Sequence, residues 1–179
     1  MQNLKNTFHR SLWFFTMVGL LGFGCGQPTT DPTSPQKQNS GSEELSSQAL
    51  QHALKEALLD EYKAKATYQK VINSFGSVKP FSNIVGAEVR HANAILGLYQ
   101  KRQWTPPQNP WSIHSKSIPN FESLREACQA GVKGEIENAA IYERLLKLPL
   151  PEDIQKVFNQ LKGASDDNHL QAFQQCAGD

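Results

Sequence analysis

Residues 82–102 read SNIVGAEVRHANAILGLYQKR, and the reading of this stretch decides the fold. Ile84, Ile95 and Leu98 fall on one stripe of a helix with period 3.6, the pattern of a helix that buries one face. Glu88 and His91 interrupt that stripe near its middle. A spacing of three places both on the same helix face, so the polar pair is aimed where the apolar residues are aimed. An isolated carboxylate in an apolar interior is very costly, so the pair requires partners from elsewhere in the chain.

Three further segments carry the same combination. Segment A, from about Ser46 to Phe75, repeats apolar or aromatic residues at Leu54, Leu58, Tyr68, Ile72 and Phe75. Glu61 lies one heptad after Leu54 and one before Tyr68, and Asn73-Ser74-Phe75-Gly76 supplies a stop. The quoted stretch is segment B. Segment C, from about Glu122 to Leu148, carries Leu124, Cys128, Tyr142 and Leu145. Its Glu135 sits seven residues after Cys128 and seven before Tyr142, and Pro149 and Pro151 forbid continuation. Segment D begins at Pro151, with Glu152 and Asp153 at the positive end of the helix dipole. It carries Ile154, Phe158, Leu161 and Phe173 and ends near Cys176; His169 lies four residues before Phe173, and Asp166 three before His169. No strand pattern and no solenoid-type repeat is present.

Loop lengths set the topology. Short loops join A to B and C to D, which makes each pair an antiparallel hairpin. Between B and C, residues 103–120 hold four prolines and two tryptophans, Trp104 and Trp111, with no helical period. Eighteen residues can span up to roughly 59 Å, whereas a 20-residue helix is about 30 Å long. The connection can therefore run the length of the molecule, with both tryptophans fastening it down. An all-α, ferritin-like four-helix bundle, two antiparallel hairpins joined by one long crossover, is the expected fold.

All four helices then aim a carboxylate at the core, and two add a histidine. Such carboxylates repel one another and are driven towards protonation; two divalent cations would resolve the conflict. Dimetal sites in this fold use a Glu from each of two helices and Glu-x-x-His from each of the other two. Here A offers Glu61, B offers Glu88 and His91, C offers Glu135, and D offers Asp166 and His169. Glu88 and Asp166 are expected to bridge the ions, with Glu61 and Glu135 terminal and one histidine on each ion. Imidazole with carboxylate suits two iron ions, or manganese. Lys162, four residues before Asp166, is the rival partner for that carboxylate. The remaining histidines are His9, His52 and His114, the last two read as solvent-facing. Tyr68 and Tyr142 each lie one heptad beyond a ligand glutamate, as packed tyrosines with satisfied hydroxyls or as redox-active neighbours of the metals.

Pro80-Phe81-Ser82-Asn83-Ile84, the Glu88-x-x-His91 pair, Asn168-His169-Leu170-x-Ala172-Phe173 and Glu61-x-x-Ala64-x-x-x-Tyr68 together resemble the ferritin-like family catalogued as domain of unknown function 2202. The resemblance spans roughly Leu54 to Phe173. It implies a ferritin-like bundle in secreted or anchored prokaryotic proteins and carries no activity with it. The chain departs from the general dimetal pattern in D, where Asp166 replaces Glu and Ser165, four residues before His169, shares the face. Asn138 stands where peroxide-reducing relatives of the rubrerythrin type often carry another Glu.

The N-terminus reads as a targeting segment over residues 1–25. Lys5 and Arg10 precede the uncharged LWFFTMVGLLGFG of residues 12–24, too short for a comfortable membrane span. Leu21-Gly22-Phe23-Gly24-Cys25 resembles a lipobox, with leucine one place further from the cysteine than usual; Cys25 would be lipidated. Residues 26–44, rich in Pro, Ser, Thr and Gln, read as a flexible tether, and residues 45–178 as the folded domain. The whole chain carries 18 basic and 17 acidic side chains, and maturation would remove Lys5 and Arg10. That balance points away from nucleic acid and leaves membrane attachment to the acyl chains. The expected protein is extracytoplasmic and lipid-anchored, with O2 or peroxide as its small oxidant in oxidase, peroxidase or ferroxidase chemistry. A non-enzymatic metal-binding or sensing module, or a metal-free interaction domain, would use the same bundle.

Cys128 and Cys176 remain after Cys25. On antiparallel helices facing residues share a constant index sum, and the sum is the same for Cys128 with Cys176 as for Glu135 with His169. A disulfide closing a 48-residue loop is expected, worth about 4 kcal/mol in the chain-entropy picture.

Overall fold

The computed structural model describes residues 45–112 and 116–178. The targeting segment, Cys25 and the tether lie outside the described residues, as do His9 and His114. Among the described residues all regular structure is helical: α1 Ser47–Phe75, α2 Phe81–Lys101, α3 Leu124–Leu145, α4 Glu152–Ala164 and α5 Leu170–Ala177. Residues Ser165–His169 form a π-helical turn between α4 and α5. Backbone dihedrals stay in the right-handed helical region across both junctions, at Ala164, Ser165, His169 and Leu170, so segment D is one helical rod with a wide turn inside it. Among the described residues no helix is long and apolar enough to cross a membrane.

Local chemistry starts and stops these helices where the sequence suggests. The Ser46 hydroxyl accepts from the Ala49 N–H at 3.2 Å and caps α1. Gly76, at φ 85°, ends it and donates its N–H to the Ile72 carbonyl. Ser123 caps α3 by accepting from the Glu126 N–H at 3.2 Å. The Glu126 carboxylate in turn accepts from the Glu122 N–H at 2.7 Å.

Cross-helix pairs give the directions. Tyr68 meets Glu135 and Glu61 meets Tyr142, so α1 and α3 run antiparallel. Asp153, at the start of α4, accepts from Lys101 at 2.8 Å and Arg102 at 2.7 Å at the end of α2. Arg102 first, and Lys101 with it, hold the Asp153 carboxyl far below the usual range. The end of α2 thus lies beside the start of α4, and α3 must restart at the other end. The connection between them follows the helices for most of their length. The Trp104 side chain packs on the core, and its backbone N–H donates to the Tyr99 carbonyl at 3.0 Å. Farther along, Lys70 donates to the Ile118 carbonyl at 2.6 Å.

Two apolar clusters fill the interior. One is built on Leu54, Leu58, Ile95, Tyr142, Ile154 and Phe158. The other contains Tyr68, Phe81, Cys128 and Phe173. In the second, α3 comes so close to α5 that a Cβ on Gly131 would lie 2.4 Å from the Phe173 ring, which is why that position has no side chain. Cys128 and Cys176 are brought within bonding distance, with Cα atoms 5.7 Å apart, inside the range a disulfide requires. Glu61, Glu88, His91, Glu135 and His169 occupy the layer between the two clusters.

Candidate metal centre

Five of the six predicted ligands converge in that layer. Glu61, Glu88 and His91 offer atoms within 4.8 Å of one another, and so do Glu88, Glu135 and His169. Glu88 belongs to both groups and divides its oxygens between them. Its Oε2 lies 3.3 Å from His91 Nδ1, and its Oε1 lies 3.2 Å from His169 Nδ1. Glu61 Oε2 approaches His91 Nδ1 at 3.3 Å, and Glu135 Oε2 approaches His169 Nδ1 at 3.5 Å. The two imidazoles stack with centroids 5.4 Å apart. The result is two carboxylate–imidazole–carboxylate groups fused through one glutamate.

The surroundings leave water almost no access. Glu61 is 0% exposed, Glu88 2% and Glu135 3%. Three buried carboxylates in one layer need cationic partners. When protonated, the two imidazoles supply them. Burial pushes the His91 imidazole down, but Glu61 and Glu88 outweigh it and raise it to about 9. Burial likewise pushes His169 down, and Glu135 and Glu88 raise it to about 9. Burial raises the Glu61 carboxyl to about 7, against the hydrogen bond with His91. Burial also opposes ionisation of Glu88, yet His169 and His91 overcome it and hold that carboxyl low, at about 2.

The proton arrangement does not satisfy every atom. His169 Nδ1 and Glu88 Oε1 are close but misaligned, and neither has a hydrogen-bond partner. Buried polar atoms left unpaired are rare and call for a physical reason. A cation between them would engage both at once. Nitrogen and oxygen donors in this proportion, buried and able to lose their protons together, fit a divalent transition metal.

The tyrosines complete the layer in a crossed pattern. Tyr68 of α1 donates to Glu135 Oε1 of α3 at 2.5 Å. Tyr142 of α3 donates to Glu61 Oε1 of α1 at 2.5 Å. Burial, first of all, and then the neighbouring carboxylates push both phenols well above their ordinary range, so both remain protonated donors. Each therefore orients a candidate ligand carboxylate contributed by the other hairpin. Their heptad spacing from Glu61 and Glu135 signalled proximity to the layer; the crossing required the packing of α1 on α3.

Asp166, expected as the second bridging carboxylate, is not part of the cluster. Its Oδ2 accepts from Lys162 Nζ at 2.5 Å, and both side chains are about one-third exposed. The cause is the π-helical turn, in which the Leu170 N–H reaches back five residues to the Ser165 carbonyl. The extra residue in that turn shifts the register, so Ser165 instead of Asp166 shares the inner face with His169. Lys162 does take Asp166, as the spacing of four suggested, but outside the cluster, leaving the interior open. Ser165 is 2% exposed and donates to Asn138 Oδ1 at 2.6 Å. The Asn138 amide donates to Asp60 Oδ2 at 2.8 Å and to Glu61 Oε1 at 3.2 Å. Asp60 was not foreseen, because its neighbour Glu61 occupies the inward position and only the Asn138 side chain links the two.

No family model matches the sequence, and no curated protein matches it. Among solved structures, the chain is similar to a hypothetical protein, MJ0754 from Methanococcus jannaschii DSM 2661. The likeness has a TM-score of 0.66 at 25% identity and covers 78% of this chain and 85% of that one.

Proposed function

We propose that this chain is a ferritin-like protein that binds two divalent metal ions, iron or manganese, in the layer between its apolar clusters. The observation that carries the proposal is the fused donor set: Glu61 with His91 for one ion, Glu135 with His169 for the other, and Glu88 between them. The antiparallel hairpins, the lengthwise crossover and the resemblance to the ferritin-like family catalogued as domain of unknown function 2202 support the same reading. When bound, such ions supply redox capacity and Lewis acidity towards O2 or peroxide. The chain's own residues exclude water, supply the charge and hold ligand orientation through Tyr68 and Tyr142. The lipobox-like Cys25 and the tether support an extracytoplasmic, membrane-anchored location.

The decisive experiment is metal analysis after anaerobic reconstitution with ferrous or manganous ion. Two ions per chain, with a rise in melting temperature, are expected. No bound metal and an unchanged melting temperature would leave a metal-free interaction domain. Ser165 and Asn138 favour a second reading: where a fourth and fifth carboxylate could stand, this layer has a hydroxyl and an amide. A site with three carboxylates would also serve a non-enzymatic module that retains or senses metal. Ferrous-iron or peroxide turnover by the loaded protein separates that use from catalysis.

A further inference from the structure

A cavity of about 630 Å³ lies between α1, α3 and the crossover. It is far larger than O2 or peroxide requires and falls in the size range of pockets for organic ligands. The crossover lines it with flat or apolar groups, Trp111, Ile118 and Phe121, while Ala64 and Ala130 keep the helix walls low. Its inner wall is Tyr68, the side chain whose hydroxyl is bonded to Glu135. Gly134 lines the same end, where a Cβ would lie 3.8 Å from the Tyr68 hydroxyl, at ordinary contact distance.

Charge selects among organic ligands. Lys63, Lys116 and Lys133 line the cavity against Asp60 and Glu137. Glu137 is contacted by Lys63 at 3.4 Å and by Lys133 at 3.8 Å. Asp60 is engaged by the Asn138 amide. Lys116 has its ammonium 5.5 Å from the Trp111 ring centroid, which places a cation beside the flat face. Three lysines against two carboxylates leave the lining with one excess positive charge beside the Trp111 ring, a combination suited to a planar body bearing a negative group.

We propose that this cavity binds a small organic anion with a planar apolar body, of the aromatic carboxylate type. The body stacks between the crossover aromatics and the helix wall, its inner end reaches Tyr68, and the carboxylate meets the lysines. Binding of this kind stands on the cavity and its lining, whether or not the neighbouring layer holds metal.

The test uses 4-nitrobenzoate, a planar anion that quenches tryptophan fluorescence, titrated into the purified protein with and without manganous ion, with calorimetry in parallel. Saturable binding at one site per chain is expected in both states. Ala130→Leu fills the slot and should weaken binding at least tenfold while the circular dichroism stays helical. Lys63→Gln with Lys133→Gln alters only exposed side chains; it should weaken 4-nitrobenzoate several-fold and leave neutral 4-nitrobenzamide unchanged. Absence of saturable binding, or equal affinity in the folded Ala130→Leu and lysine variants, overturns the proposal. Loss of metal binding with 4-nitrobenzoate binding intact would overturn the metal reading alone.

Discussion

The two hairpins solve the same problem differently. Each presents a helix with an acid-x-x-histidine spacing and a partner helix with one buried glutamate, Glu61 or Glu135. In the first hairpin α2 is regular, and Glu88 and His91 both reach the layer. In the second the rod widens at Ser165–His169; His169 reaches the layer, but Asp166 turns out to Lys162. Only the second brings two cysteines together, Cys128 and Cys176. The difference teaches that an i, i+3 pair is a statement about a regular helix: one extra residue in a turn reassigns the face without changing the sequence pattern.

The comparison breaks most visibly at Glu88. Glu88→Gln should reduce bound metal from two ions to fewer than one, because both groups share that carboxylate. It should also destabilise the metal-free protein by about 3–5 kcal/mol, the cost of breaking a buried ion pair. Metal analysis and urea unfolding measure the two effects.

Reduction of the Cys128–Cys176 pair tests the second hairpin alone. A loss of about 4 kcal/mol is expected, and mass spectrometry of unreduced protein should find no free thiol at either position. Two free thiols would show that the hairpin is held by packing only.

The histidines test the equivalence of the halves. His91→Ala should leave one ion with Glu88, Glu135 and His169, and His169→Ala should leave one with Glu61, Glu88 and His91. If either variant loses both ions, the groups bind as a single cooperative unit.

Proton and metal should also compete. In the metal-free protein the histidines, raised from 6.5 to about 9, contribute stability that is full below pH 6.5 and lost as pH rises through about 9. Glu61, raised from 4.5 to about 7, acts in the same direction, losing its contribution as pH rises through about 7. Glu88, lowered from 4.5 to about 2, contributes above pH 4.5 and loses that contribution as pH falls towards 2. Metal-free stability should therefore peak near pH 4.5, decline towards pH 7 as Glu61 ionises, and decline further towards pH 9 as the histidines lose their protons. Metal requires the same groups deprotonated, so the melting-temperature gain on loading should grow across that decline. A gain that is flat with pH would place the metal elsewhere.

The smallest effect sharpens the contrast most. Asp166→Asn changes the first residue of the second acid-x-x-histidine pair, the counterpart of Glu88. It should leave metal content unchanged and cost less than about 1 kcal/mol, the range of a surface ion pair. Loss of an ion in this variant would return Asp166 to the ligand set.

Periodicity by itself determined the helices, because the apolar stripes of all four segments follow the helical period over long spans. Loop length and proline content determined two short turns and one lengthwise connection, because a short loop confines its helices to neighbouring antiparallel positions. Glu61, Glu88, His91, Glu135 and His169 were legible for the same reason: each sits on an apolar stripe, where an unpaired polar group is too costly to stand alone. The facing of Cys128 and Cys176 followed from the antiparallel register of their helices. Tertiary structure alone decided the turn at Ser165, the crossed Tyr68 and Tyr142 bonds, the Asn138 link to Asp60 and the cavity behind Tyr68. These depend on how one helix meets another. A wide turn exchanges one backbone hydrogen bond for another at little local cost, so its place is chosen by the packing that seats Ser165 against Asn138 and leaves Asp166 to Lys162.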